Sequence, residues 1–171
     1  MRSQKPPALD FKRDILPLKN ILFRTALRIT LNREEAEDVV QDTLLKLWER
    51  RGELSAVQNL ESFAITAARN LALDHKARLC NQTIPLDEEQ HDRQDEHQPS
   101  IHDTLVREEK ISHIHLLINK LPEKQRTVIQ LRDIEGKTYK EIAEIMGTTE
   151  ADVKINIYRG RNFLKNNCKM L

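Results

Sequence analysis

TYKEIAEIMGTTEADVKINIYRGRNFLK, residues 138–165, carries two helix signals back to back. Thr138 and Glu141 have the T-x-x-E spacing of a capping box, in which hydroxyl and carboxylate satisfy the first free N–H groups of a helix. Ile142, Ala143 and Ile145 then face one side, and Gly147 can take the left-handed conformation that ends the helix. Thr149 opens a second helix in which Val153, Ile157, Gly160 and Leu164 recur at helical spacing, so that stripe is the buried side. At about 100° per residue the opposite face presents Ala151, Asp152, Ile155, Tyr158 and Arg159, flanked by Lys154 and Arg161. This is the pattern of a helix-turn-helix. Its second helix can enter a major groove, where cations reach phosphates or guanine edges and apolar groups touch thymine methyls. Read alone, the segment also fits a helical hairpin with solvated cations.

Just upstream, REEKISHIHLLINKL supplies one helix, and Pro122 opens another that ends at Gly136. Further back, residues 81 to 104 hold little apolar content, two prolines and an acidic excess, which reads as a flexible linker. The front part shows three helical patterns. From Phe11 to Ile29, Ile15, Leu18, Leu22, Ala26 and Ile29 lie at helical spacing. Asn32 stands three residues before Glu35 as an N-cap, and EEAEDVVQDTLLKLWERR carries Ala36, Val39, Val40, Leu44, Leu47 and Trp48 along one stripe until Gly52. After a polar connection at 53–59, LESFAITAARNLALDHKARL gives a third helix with Phe63, Ala67, Leu71 and Leu73 as apolar contacts. The expected fold is all-α: a helical domain at 1–80, the linker at 81–104, and a second helical domain with the helix-turn-helix at 105–171.

Composition agrees. Hydrophobic residues make up 39% and charged residues 32% of 171, too little apolar matter for one large core and too much for a disordered chain. Four glycines and few aromatics disfavour a β-rich fold. The net charge of +1 conceals three blocks. Residues 1–80 hold 14 Lys+Arg against 11 Asp+Glu, residues 81–106 hold 1 against 7, and residues 107–171 hold 13 against 9. Two basic blocks of +3 and +4 therefore flank an acidic one of −6, which permits a polyanion partner at each end. Cys80 and Cys168 have no metal-ligand spacing, so neither a disulfide scaffold nor a zinc site is expected. No signal peptide or membrane-spanning run is legible, and the expectation is a cytoplasmic chain without membrane insertion. The six histidines lack catalytic spacing, and no H-E-x-x-H, G-x-S-x-G or P-loop occurs. No enzyme activity, cofactor, metal or small-molecule substrate is expected.

Taken in order, these segments resemble a sigma-70 family factor of the compact extracytoplasmic-function group, and LPEKQRTVIQLRDIEGKTYKEIAEIMG is especially close to the family form. The resemblance implies a factor that binds the β and β′ subunits of core RNA polymerase and directs promoter-specific transcription initiation, and it implies an anti-sigma factor as a further partner. EEAEDVVQDTLLKLWER resembles the helix that grips polymerase, which would make Asp38, Gln41, Asp42, Leu45 and Trp48 the contacts. For Trp48, a place in the core is an equal alternative. NLESFAITAARNLALDHKAR resembles the segment that captures the minus-ten element. Asn59, Leu60, Glu61, Arg69, Asn70, Asp74, Lys76 and Arg78 would then hold a base drawn from the duplex and its backbone. Phe63 is expected in the core. The terminal helix-turn-helix resembles the region that reads the minus-thirty-five element, with Thr149, Asp152, Lys154, Ile155, Tyr158, Arg159 and Arg161 at the DNA. Asp152 stands where the family has a small hydroxyl residue and Asn156 where it has a cation. Phosphate attraction is thereby reduced, while a carboxylate there can accept from a cytosine amino group. The acidic linker has two open readings, a spacer or an occupant of a basic polymerase channel.

Overall fold

A computed structural model describes the backbone of residues 9–82 and 102–168, and the side chains of 9–79 and 111–168. Eight α-helices and no strand occur among the described residues: α1 Lys19–Thr30, α2 Arg33–Glu49, α3 Arg51–Leu54, α4 Leu60–Gln82, α5 His102–Asn119, α6 Glu123–Ile129, α7 Tyr139–Met146 and α8 Glu150–Cys168. The family-like linker falls mostly outside the described residues.

Pro17 explains why the first expected helix is divided. Lacking an N–H, it cannot continue an α-helical ladder, and residues 11–18 instead form a π turn, Phe11–Ile15, and a 3-10 turn, Leu16–Leu18, before α1 begins. Ile15, Leu22, Ala26 and Ile29 are nevertheless fully buried, as their spacing predicts. Leu31 turns the chain with φ 57, and Asn32 then caps α2 by accepting the Glu35 N–H at 3.2 Å. Helix α2 stops at Glu49, and the short α3 takes up the start of the expected polar connection.

Helix α4 lies against α1 and α2, and its buried positions are Ala64, Ile65, Ala68 and Ala72. The larger Phe63, Leu71 and Leu73 pack at the edge of that core instead of filling it. The small side chains let α4 approach its neighbours closely, and α4 meets α7 as well. In the second half, α6 and α7 both pack on α8. An ideal Cβ on Gly160 of α8 would come within 3.0 Å of Ile129 Cγ1, so glycine sets the closeness of α8 and α6. Val153 and Ile157 are buried beside it, and Leu164 is half-buried. The capping box of Thr138 and Glu141 is formed in both directions, and Gly147 closes α7 with φ 63. The buried apolar residues of both halves form one connected cluster, because α1 also touches α6 and the π turn, Gln130–Ile134, that extends it.

Candidate polymerase and promoter surfaces

On α2, Asp38, Gln41, Asp42, Leu45 and Trp48 all reach solvent along one face. Leu45 is 56% exposed and Trp48 38%, so the indole divides between the two places open to it from sequence. Its ring meets Phe11 edge to face at 5.5 Å, and the Arg51 guanidinium lies over it at 4.1 Å. Phe11, Gln41, Leu44, Leu45 and Trp48 together line an open apolar groove. A groove of this kind, on a helix that also exposes Asp38 and Asp42, has the make-up of a protein-binding face, apolar contact beside charge. Phe11 is the member that sequence reading missed; it belongs to a different element, and no periodicity links it to α2.

The residues expected at a single-stranded base divide into two groups. Asn70, Asp74, Lys76 and Arg78 are exposed along α4, and Leu60 is half-buried. Asn59, Glu61 and Arg69 instead face the second half of the chain. Asn59 caps α4 by accepting the Ser62 N–H at 2.9 Å, and its amide donates to Glu141 Oε1 at 3.5 Å. Glu61 pairs with Lys137, and Arg69 lies 3.8 Å from Glu123 while its Nε is buried without a hydrogen-bond partner.

On α8, Ile155, Tyr158 and Arg159 are exposed, Tyr158 at 68%. Lys154 is exposed too, with its ammonium 5.6 Å from the centre of the Tyr139 ring. Arg161 pairs with Asp133. Thr149 caps the helix, its hydroxyl accepting the Asp152 N–H at 3.2 Å. One carboxylate oxygen of Asp152 accepts from the hydroxyls of Thr148 at 2.9 Å and Thr149 at 3.0 Å, and these bonds, Thr148 first, hold its pKa below the ordinary aspartate value. Both bonds use Oδ2, which leaves Oδ1 for another donor. Asn156 donates to the Asp152 carbonyl at 2.8 Å, which ties the second turn of the helix back to its first.

Residues 15–79 match the family model of Sigma-70 region 2, and residues 113–164 that of Sigma-70, region 4. The chain belongs to the sigma-70 family. The ECF RNA polymerase sigma-E factor of Haemophilus influenzae is 29% identical over 149 residues, covering 82% of this chain and 78% of that protein. The RNA polymerase sigma-H factor of Pseudomonas aeruginosa is 27% identical over 159 residues, 86% of this chain and 81% of its own. Among solved structures, the sigma factor RpoE in complex with the anti-sigma factor NepR from Bartonella quintana has a similar fold, with a TM-score of 0.72 at 24% identity over 94% of this chain and 97% of that one. CnrH in complex with the cytosolic domain of CnrY gives 0.65 at 19% over 94% and 88%. This sigma factor is of the ECF group and directs promoter-specific initiation by RNA polymerase, in a family of non-catalytic initiation factors. No helix among its described residues is long and apolar enough to cross a membrane.

Proposed function

We propose a division of labour along the sigma factor: residues 1–80 hold polymerase and the minus-ten element, residues 81–104 tether, and residues 105–171 hold the minus-thirty-five element. The observation that carries it is the exposure of two unlike faces on separate helices. The α2 face joins Leu45 and Trp48 to Asp38, Gln41 and Asp42 beside an apolar groove, which suits a protein partner. The α8 face joins Lys154 and Arg159 to Ile155 and Tyr158 behind a capped turn, which suits a major groove. Asn70, Asp74, Lys76 and Arg78 continue the promoter surface along α4, with Asn59, Leu60, Glu61 and Arg69 behind them. Thr149, Asp152 and Arg161 frame the reading helix, Asp152 offering Oδ1 to a base amino group.

The site of action is the cytoplasm, where polymerase and template are. An anti-sigma factor is a partner of this chain, a reading supported by the two solved structures of similar fold, each of a sigma factor or its like bound to a second protein. The test is to add the purified chain to core polymerase on genomic DNA and map the 5′ ends of the transcripts. Defined start sites that depend on the chain are expected. Failure to associate with core enzyme, or starts no different from those of core alone, would defeat the reading.

A further inference from the structure

Trp48 is the chain's only tryptophan, and its partly exposed indole is held by two other elements. Arg51 of α3 donates from Nη1 to the Trp48 carbonyl at 2.9 Å and lays its guanidinium over the ring. Phe11 meets the ring at 83° from the π turn that precedes α1. That turn is fixed in its own right. Asp10 accepts the Arg13 N–H at 2.8 Å, and Asp14 accepts the Asp10 N–H at 2.8 Å. The Arg13 guanidinium donates to both oxygens of Asp14, each at 2.9 Å. These bonds, Arg13 first, hold the Asp14 carboxyl down at about 2, so the carboxylate keeps its partners through mildly acid pH. Ile15, fully buried, anchors the turn in the core, while Phe11 packs only at the edge of that core and lines the groove.

We propose that Phe11 is a positioning residue for polymerase: the turn at 10–15 sets Trp48 in the orientation in which the groove takes an apolar side chain of the core enzyme. This role rests on the reading of the α2 face as the polymerase contact, and adds to it an element outside α2. Its physical basis is preorganisation. A partly exposed tryptophan on an isolated helix samples several rotamers, and binding must then fix one of them; a ring that is already fixed spares that cost. The lining selects what enters. Phe11, Leu44, Leu45 and Trp48 are apolar and Gln41 brings a single amide, so a charged side chain would give up its hydration there for little return, whereas an aliphatic or aromatic one gains by burial. Asp38 and Asp42, exposed on the same helix, favour a partner surface that carries cations as well.

Because Trp48 is the only indole, its fluorescence reports this site alone. Full-length variants, checked for folding by circular dichroism, are compared in two measurements: acrylamide quenching of Trp48 in the free protein, and competition with labelled wild type for core polymerase. Phe11→Ala should be quenched more readily and bind core about fivefold more weakly, the scale of one side chain no longer fixed before binding. Phe11→Tyr, which keeps the ring, should restore both. Asp14→Ala should also weaken core binding, yet add little to Phe11→Ala in the double variant, because both act through the same ring. Leu45→Ala tests the α2 face by itself. If it weakens core binding and Phe11→Ala does not, the positioning role falls and α2 remains the contact; if neither weakens it, the reading of α2 falls and the role of Phe11 with it. Weaker binding of Phe11→Ala with unchanged quenching of Trp48, or losses from Asp14→Ala and Phe11→Ala that simply add, likewise overturns the role.

Discussion

Single residues carry the sharpest expectations. Reversal of Asp38 and Asp42 to Lys should weaken binding to core polymerase at least tenfold, about 1.4 kcal/mol, and leave the DNA contacts of α8 intact. Lys154→Ala with Arg159→Ala should reduce promoter use with core binding unchanged; titration of core enzyme and run-off transcription read the two separately, and equal loss of both in each variant would contradict the division. His115 lends the protein a pH dependence. Its imidazole is held below the ordinary value, first by desolvation and then by the Arg28 charge, so the folded chain binds this proton less readily than the unfolded chain. The contribution is therefore present above pH 6.5 and is lost as pH falls through the imidazole range. Urea midpoints at pH 7.5 and 5.5 should differ less in His115→Asn than in wild type. Most of these positions were legible because each lies on a recognisable helical face. Arg24, Arg28, Glu135 and Lys137 were not, since their partners lie some 76 to 111 residues away and nothing in a periodicity couples such distant positions.

At the level of the helix, local chemistry and packing make separable demands. Thr138→Ala removes the hydroxyl that accepts the Glu141 N–H and donates to the Glu141 carboxylate, while the backbone N–H of residue 138 stays on that carboxylate and continues to hold it below the usual glutamate range. A loss of about 1 kcal/mol in chemical denaturation is expected. Gly160→Val meets Ile129 where no space exists, and should cost about 1–3 kcal/mol although valine suits a helix no worse than glycine does. A stability equal to wild type would mean that α6 and α8 can separate at little cost. The caps at Asn32, Thr138 and Thr149 and the glycine that ends α7 were all readable, because capping is decided within four residues. The division of the first helix at Pro17 and the use of alanines as the buried positions of α4 were less so. Apolar size points to Phe63 and Leu71, but a helix touched on several sides places its smallest residues inward.

Across the whole molecule, the three-block charge pattern marked two basic ends but not that the two halves would meet, as Arg24 and Glu135 do through two bonds of 2.7 Å. Promoter use should need both in one chain: equimolar halves ending at 82 and beginning at 102 should start transcription far less well than the intact protein, because a tether supplies local concentration that free fragments lack. Equal activity from the mixed halves would remove the tether from the mechanism. The meeting itself depends on the π turn that follows α6. There the Glu135 N–H bonds to the Gln130 carbonyl, five residues back, one more than an α-helix allows. Excise one residue from that wide turn and everything after it swings by about 100°, carrying Glu135 off Arg24 and presenting a different side of the reading helix to its template. A single codon lost there would thus re-aim α7 and α8 without altering any of the residues proposed to touch nucleic acid.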